Sequence, residues 1–126
     1  RCLGKGETIL VVDDVLEQRE LAYLMLNKLG YDVAKLSSGE EAVEYMKDHK
    51  ADLIVLDMIM APGIDGLETY RRILEYHPGQ KAIIVSGFSE TSRIKEAQRL
   101  GAGVYVMKPY RLDKIGLAVR NELDRE

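Results

Sequence analysis

The chain carries five short segments whose apolar residues follow strand-like patterns. Four of them are nearly continuous apolar runs, which are typical of strands buried on both faces of a parallel sheet: residues 7–12, 53–56, 81–86 and 103–107. Residues 31–36 instead alternate apolar and polar positions, which predicts a strand with one partly exposed face, and hence an edge strand. The pattern therefore predicts a sheet of five strands, four of them buried.

Between these segments, apolar residues recur at the spacing of a helix. The predicted helices cover residues 16–29, 40–50, 67–76, 92–100 and 112–123. In the first of them the expected buried positions are Leu21, Leu24, Met25 and Leu29. Because strand and helix alternate along the whole chain, the fold class is α/β, a doubly wound parallel sheet with helices on both faces.

Length and charge narrow the choice of function. A chain of 126 residues is one domain by length, and we assign residues 1–7 to a small, basic linker and residues 8–126 to the domain. With 18 Lys and Arg against 21 Asp and Glu, the net charge of −3 gives no global attraction to nucleic acid, and direct binding to it is not expected. No apolar run approaches the roughly 20 residues of a membrane span, and no signal peptide is evident, which favours a cytoplasmic protein.

The one cysteine, Cys2, lies in the polar leader. A single cysteine cannot form an internal disulfide, so we interpret it as a thiol without a function.

Polar side chains follow four of the predicted strands at the point where each strand ends. They are Asp13 and Asp14 after the first strand, Asp57 after the third, Ser86 after the fourth and Lys108 after the fifth. Because the carboxyl ends of parallel strands meet at one edge of a sheet, we expect these side chains to converge. Each of them alone has an ordinary explanation, as a helix cap, a turn hydroxyl or a solvated charge.

Together these residue types suit the transfer of a phosphoryl group. Three converging carboxylates repel one another and need a cation to relieve the charge. Ligands that are all oxygen favour Mg²⁺, which takes one or two carboxylates together with a phosphate oxygen. A hydroxyl and an ammonium on the opposite side can hold two oxygens of a phosphoryl group. The set therefore predicts a phosphoryl acceptor site with Asp57 as the acceptor.

Five motifs resemble those of the receiver domains of bacterial two-component response regulators, and the resemblance runs from about Thr8 to Leu123. The motifs are Ile9-Leu10-Val11-Val12-Asp13-Asp14, Leu56-Asp57-Met58, Pro62-Gly63-Ile64-Asp65-Gly66, Val85-Ser86-Gly87 and Tyr105-Val106-Met107-Lys108-Pro109-Tyr110. The resemblance implies a flavodoxin-like (βα)5 fold with strand order 2-1-3-4-5, an order that is known for this family. It also implies a phosphorelay function, in which the domain switches conformation to signal a partner.

The resemblance further implies the roles of the site residues. Asp57 would be phosphorylated by a phosphohistidine of a histidine kinase or of a histidine phosphotransfer domain, and Ser86 and Lys108 would contact the phosphoryl group. Asp14 and Asp57 would bind Mg²⁺ directly, Asp13 through water, and Ile59 through its backbone carbonyl.

Two switch residues, Ser86 and Tyr105, would change position on phosphorylation. The ordinary alternative for Tyr105 is a half-buried strand tyrosine whose hydroxyl lies in water. One departure from the family pattern is Ala61, which adds a residue before Pro62 and is expected to make that loop bulge.

Other functions and settings stay open. The short Gly-Lys-Gly leader favours the attached receiver of a hybrid sensor histidine kinase over a stand-alone protein, and a weak homodimer is also open.

We expect a phosphoacceptor that assists its own phosphorylation and dephosphorylation, and no enzyme in the usual sense. The enzymatic alternative is a phosphatase of the haloacid dehalogenase type, whose nucleophile lies on the first strand. A nucleotide-binding module is disfavoured because no glycine-rich phosphate loop follows that strand, and Asp57 and Lys108 disfavour an unphosphorylated interaction domain.

Overall fold

In the computed structural model, which describes residues 3–126, five strands and five helices alternate as predicted. The strands are β1 (Thr8–Val12), β2 (Asp32–Leu36), β3 (Leu53–Asp57), β4 (Ala82–Ser86) and β5 (Tyr105–Met107). The helices are α1 (Leu16–Lys28), α2 (Gly39–Met46), α3 (Gly66–Tyr76), α4 (Ser92–Arg99) and α5 (Leu112–Asp124). All pairings are parallel and the order is β2-β1-β3-β4-β5, which confirms the predicted fold class, strand order and edge position of β2.

Two apolar layers hold the sheet between the helices, because alternate residues of each strand point to opposite faces. Leu10 and Ile54 face one layer, to which α2, α3 and α4 contribute. Ile9 and Val55 face the other, to which α1 and α5 contribute. Since both faces are covered, the three central strands are buried throughout apart from Thr8, as their continuous apolar runs predicted.

Two boundaries differ from the prediction by more than one residue. Helix α2 ends at Met46 rather than near Lys50, because Met46 is its last buried residue and the polar residues 47–50 are all exposed. Strand β5 begins at Tyr105 rather than Gly103. The side chain of its last residue, Met107, is 53% exposed and is therefore not part of the core.

The prediction for the buried face of α1 was partly wrong. Ala22 and Leu26 are the buried residues of this helix, whereas Leu21 and Leu24 are exposed. Leucines occur on more than one side of α1, so helical spacing alone did not distinguish the packed side from the solvent side. The smaller Ala22 lies on the packed side, where the helix approaches the sheet.

The segment before β1 is attached to the body of the domain. The Gly4 backbone N–H donates to the Leu29 carbonyl at 2.6 Å. The buried Arg120 guanidinium of α5 donates to the Glu7 carboxylate at 2.8 Å and to the Leu3 carbonyl at 3.1 Å. These contacts between Arg120 and residues 3–7 form what we call the N-terminal clamp. Arg120, as the donor of a charged hydrogen bond, lowers the pKa of Glu7 to about 2.

Two predictions about the start of the chain are not tested by the structure. Assigning residues 1–7 to a linker and 8–126 to the domain stays a prediction, and Cys2 lies outside the described residues. Within residues 3–126, no helix has both the length and the apolar character that crossing a membrane requires.

Candidate functional site

Backbone hydrogen bonds between neighbouring strands fix the edge of the sheet at which the predicted site residues lie. The Met58 N–H donates to the Val85 carbonyl at 2.9 Å, which holds the end of β3 against β4. The Lys108 N–H donates to the Ser86 carbonyl at 2.8 Å, which holds the residue after β5 against the end of β4. The polar residues that follow the strands therefore leave from one edge of the sheet.

Three aspartates converge at this edge, as the sequence predicts. Asp13, Asp14 and Asp57 each offer a carboxylate oxygen within 4.8 Å of the others, and we call them the acidic cluster. Asp13 and Asp57 are buried, with 0% and 5% exposure, whereas Asp14 is exposed. The Lys108 ammonium lies 2.8 Å from Asp13 Oδ2 and 3.5 Å from Asp57 Oδ1. One cation thus compensates two buried carboxylates.

The surroundings of Asp57 raise its pKa from 3.8 to about 7. Burial is the largest cause, since a charged carboxylate loses its hydration, and repulsion from Asp13 adds to it. Lys108 acts in the opposite direction but does not cancel the other effects. A further positive charge close to Asp57 would therefore stabilise its ionised form.

The oxygen atoms of the cluster fit a hard divalent cation. Three carboxylates face one ammonium, so negative charge remains in excess when all three are ionised. Every candidate ligand is an oxygen, which is the donor set that Mg²⁺ prefers. Residues 13, 14 and 57 can thus hold this ion, while the share of each in binding stays a prediction.

Asp13 is held more firmly than the sequence indicated. The Val15 N–H donates to Asp13 Oδ1 at 3.0 Å, and the Lys108 ammonium approaches Oδ2. The Tyr110 hydroxyl lies 3.5 Å from the same Oδ2, on a side chain that is 5% exposed. Tyr110 follows Lys108-Pro109 within a recognised motif, but the sequence carried no signal that its hydroxyl faces Asp13.

The site contains a cavity of about 320 Å³. A more open cavity of about 550 Å³ lies at the other, amino-terminal edge of the sheet, away from the site. The cavity at the site is lined by Asp14, Val15, Asp57, Ile59, Ala61, Ser86, Gly87, Phe88 and Lys108. The side chains of Ile59 and Phe88 at its rim are 52% and 65% exposed. A small group on Asp57 would therefore sit beside a hydroxyl and an ammonium and below apolar side chains.

The loop after β4 connects the site to Tyr105. The Ser86 hydroxyl accepts the Phe88 N–H at 3.2 Å, and the Tyr105 hydroxyl donates to the Phe88 carbonyl. Tyr105 is half-buried, as its ordinary alternative expects, and its hydroxyl also contacts the loop backbone. The switch roles of Ser86 and Tyr105 stay predictions.

Known proteins share both the sequence pattern and this architecture. The model of the response regulator receiver domain family matches residues 9–120. Sporulation initiation phosphotransferase F of Bacillus subtilis is 34% identical over 118 residues, which are 94% of this chain and 94% of the relative. Chemotaxis protein CheY of Thermotoga maritima is 31% identical over 111 residues, 87% of this chain and 92% of the relative.

Longer proteins contain the same unit. Transcriptional regulatory protein ZraR of Klebsiella oxytoca is 32% identical over 120 residues, but these are 95% of this chain and only 27% of the relative. The crystal structure of the N-terminal domain of a response regulator/sensory box/GGDEF 3-domain protein from Carboxydothermus hydrogenoformans superposes with a TM-score of 0.86 at 28% identity, over 93% of this chain and 94% of that chain. The chain belongs to the response regulator receiver domain family, whose members act in two-component phosphorelay signalling.

Proposed function

We propose that this domain accepts a phosphoryl group on Asp57 from a phosphohistidine of a partner protein, in a reaction that requires Mg²⁺. The observation that carries the proposal is the buried Asp57 carboxylate beside the Lys108 ammonium and the other two carboxylates of the acidic cluster. The partner would be a histidine kinase or a histidine phosphotransfer domain, which agrees with the name of the relative from B. subtilis, a phosphotransferase.

The transfer exchanges one bond to phosphorus for another. An ionised oxygen of Asp57 forms a P–O bond as the P–N bond of the phosphohistidine breaks, and the histidine ring leaves with the electron pair of that bond. The Lys108 ammonium lies 3.5 Å from Asp57 Oδ1, and Ser86 lines the same cavity as Asp57. Both groups would bind the phosphoryl oxygens and stabilise their charge. When bound, Mg²⁺ supplies positive charge that allows a phosphate dianion to approach the carboxylates. Asp13, Asp14 and Asp57 would hold the ion together with the Ile59 carbonyl.

Acetyl phosphate tests the proposal without a partner protein. We expect mass spectrometry to show one added phosphoryl group per chain in the presence of Mg²⁺ and none in the presence of EDTA. Asp57→Asn should abolish the label because the amide is not a nucleophile, whereas Asp32→Asn, at an exposed position of the edge strand, should keep it. A label that persists on the Asp57→Asn variant assigns the acceptor elsewhere. Rapid turnover of generic phosphomonoesters would favour a phosphatase instead.

The apolar rim of the cavity leads to a prediction about the lifetime of the phosphorylated state. Hydrolysis requires water to approach phosphorus in line with the leaving carboxylate, and neither Ile59 nor Phe88 can hydrogen-bond that water. We expect the double variant Ile59→Asn, Phe88→Glu to lose phosphate on the order of tenfold faster than the parent, a difference of about 1.4 kcal/mol in the barrier.

The decay is measured after removal of acetyl phosphate. A matched control changes two exposed apolar residues outside this cavity, Val104→Asn and Leu24→Glu, and should decay at the parent rate. Equal decay of the rim variant and the parent would mean that apolar shielding does not set the lifetime, as expected if the extra residue Ala61 opens the loop to water.

Attachment to a hybrid sensor histidine kinase is a separate proposal. The relatives include proteins of about the same length as this chain and others in which the matched region is about a quarter of the whole. The coding sequence upstream of Arg1 tests it directly, because a kinase core in the same reading frame is required.

A further inference from the structure

Tyr110 is a buried side chain for which the proposed transfer has no role. Its hydroxyl lies 3.5 Å from Asp13 Oδ2, and within residues 3–126 it has no nearer hydrogen-bond partner. A buried hydroxyl without a good partner costs free energy relative to its hydrated state. At 3.5 Å the contact is longer than a well-formed O–H···O bond, so the hydroxyl is close to Asp13 but gains little from it.

Lys108 is the nearer donor to the carboxylate that the Tyr110 hydroxyl faces. Its ammonium occupies the same oxygen, Asp13 Oδ2, at 2.8 Å. The same ammonium lies 3.5 Å from Asp57 Oδ1, on the side where a phosphoryl group would form. If it moves to the phosphoryl oxygens, Asp13 Oδ2 loses its main donor while Asp13 remains fully buried.

We propose that Tyr110 is a positioning residue whose hydroxyl replaces the Lys108 ammonium as the donor to Asp13 when Lys108 is drawn toward a phosphoryl group on Asp57. The inference rests on the proposed function, because phosphorylation of Asp57 is the event that would move Lys108. The replacement of one donor by the other rests on the contacts at Asp13 Oδ2. The replacement would give the Tyr110 hydroxyl a better hydrogen bond in the phosphorylated state than in the unphosphorylated one.

Two further observations support this role. The Tyr110 side chain is 5% exposed, so its hydroxyl has little access to water, and Asp13 is the acceptor within its reach among the described residues. Asp13 Oδ1 already accepts the Val15 N–H, so the exchange concerns one oxygen only, and the carboxylate keeps its orientation during it. Groups that orient ligand side chains commonly change metal affinity by 10- to 100-fold when they are removed.

A double-mutant cycle tests the exchange without phosphorylation. Lys108→Met removes the ammonium from Asp13, and Tyr110→Phe removes only the hydroxyl. In EDTA at pH 8 we expect Tyr110→Phe to lower the melting temperature by at most about 1 °C in the parent and by several degrees in the Lys108→Met background. The control is Tyr31→Phe, because the Tyr31 hydroxyl also lies 3.5 Å from a charged group, Arg120, and is buried outside the acidic cluster. It should have the same effect in both backgrounds. Equal effects of Tyr110→Phe in both backgrounds would overturn the proposal.

A second measurement uses the intact Lys108, in case the Lys108→Met proteins do not fold. With acetyl phosphate, Tyr110→Phe should raise the Mg²⁺ concentration at half-maximal phosphorylation by three- to tenfold, whereas Tyr31→Phe should leave it unchanged. An unchanged midpoint for Tyr110→Phe refutes the role of its hydroxyl. If the parent itself takes no phosphate, the proposed function fails instead, and the melting temperatures still decide whether Tyr110 supports Asp13.

Discussion

Asp57→Asn is expected to make the metal-free protein more stable by about 4 kcal/mol above pH 7, although it removes the proposed acceptor. The pKa of Asp57 rises from 3.8 to about 7 in the folded protein, so ionisation at neutral pH opposes folding. An asparagine side chain of nearly the same shape carries no charge, and it avoids both the lost hydration and the repulsion from Asp13.

The pH dependence of this gain follows from proton binding. Between about pH 4 and pH 7 the folded parent holds a proton on Asp57 that the unfolded chain has lost, so the free energy of unfolding of the parent falls as the pH rises. Below pH 4 the carboxyl is protonated in both states and the advantage of the variant should vanish. Above pH 7 the carboxyl is ionised in both states and the advantage should be constant.

Urea unfolding in EDTA across this pH range measures the effect. Asp32→Asn, at an exposed position, should show no such pH-dependent gain. Asp14→Ala should gain less than Asp57→Asn, because Asp14 is exposed and makes the smallest contribution to the shift at Asp57. Adding Mg²⁺ should stabilise the parent more than the Asp57→Asn variant, since a bound ion relieves the repulsion and needs the carboxylate. Equal stability of the Asp57→Asn variant and the parent at pH 8 would show that charge repulsion and burial at Asp57 do not destabilise the folded protein.

Gly66→Ala is expected to destabilise the protein by about 3 kcal/mol and to disturb the proposed acceptor, Asp57, at the same time. Gly66 is the buried first residue of α3, and its N–H donates to the Met58 carbonyl at 2.7 Å. A Cβ atom there would lie 2.5 Å from the Asp57 carbonyl oxygen and 2.9 Å from Met58 Cα. Asp57 is the last residue of β3 and Met58 directly follows it, and both are held against β4, so these backbone atoms cannot move aside cheaply.

Thermal unfolding and acetyl phosphate labelling measure the two effects of Gly66→Ala. We expect the melting temperature to fall by roughly 10 °C and the labelling rate to fall with it. Gly87→Ala is the control for stability, since a Cβ at Gly87 would meet no atom within 4 Å. A Gly66→Ala protein with the melting temperature of the parent would mean that helix α3 can withdraw from β3 at little cost.

Much of the fold follows from short-range sequence patterns. Continuous apolar runs identified the buried strands β1, β3 and β4, and alternation identified β2 as an edge strand. The same pattern wrongly predicted that β5, the other edge strand, is buried on both faces. The convergence of Asp13, Asp57 and Lys108 was also predictable, because it depends only on their places at the ends of parallel strands. The strand order itself came from the family resemblance.

The remaining features depend on contacts between distant parts of the chain. The packed side of α1 is decided by how the helix meets the sheet, so Leu21 and Leu24 were assigned to the wrong side. The hydroxyl of Tyr110 reaches a carboxylate 97 positions away in sequence, and no local pattern indicates this contact. The different burial of Asp13 and Asp14, which are adjacent residues, likewise depends on the loops that cover one and leave the other exposed.

The large sequence separation across the N-terminal clamp leads us to expect that the clamp forms late in folding. Glu7 and Arg120 are 113 positions apart, so their contact closes a loop that contains almost the entire described chain. Closing so long a loop is entropically costly until the sheet and α5 have brought the two residues together. The clamp is therefore among the last contacts to form, and its stabilising energy should slow unfolding while leaving the folding rate nearly unchanged. During synthesis of the protein, residues 3–7 cannot bind Arg120 until helix α5 has been synthesised.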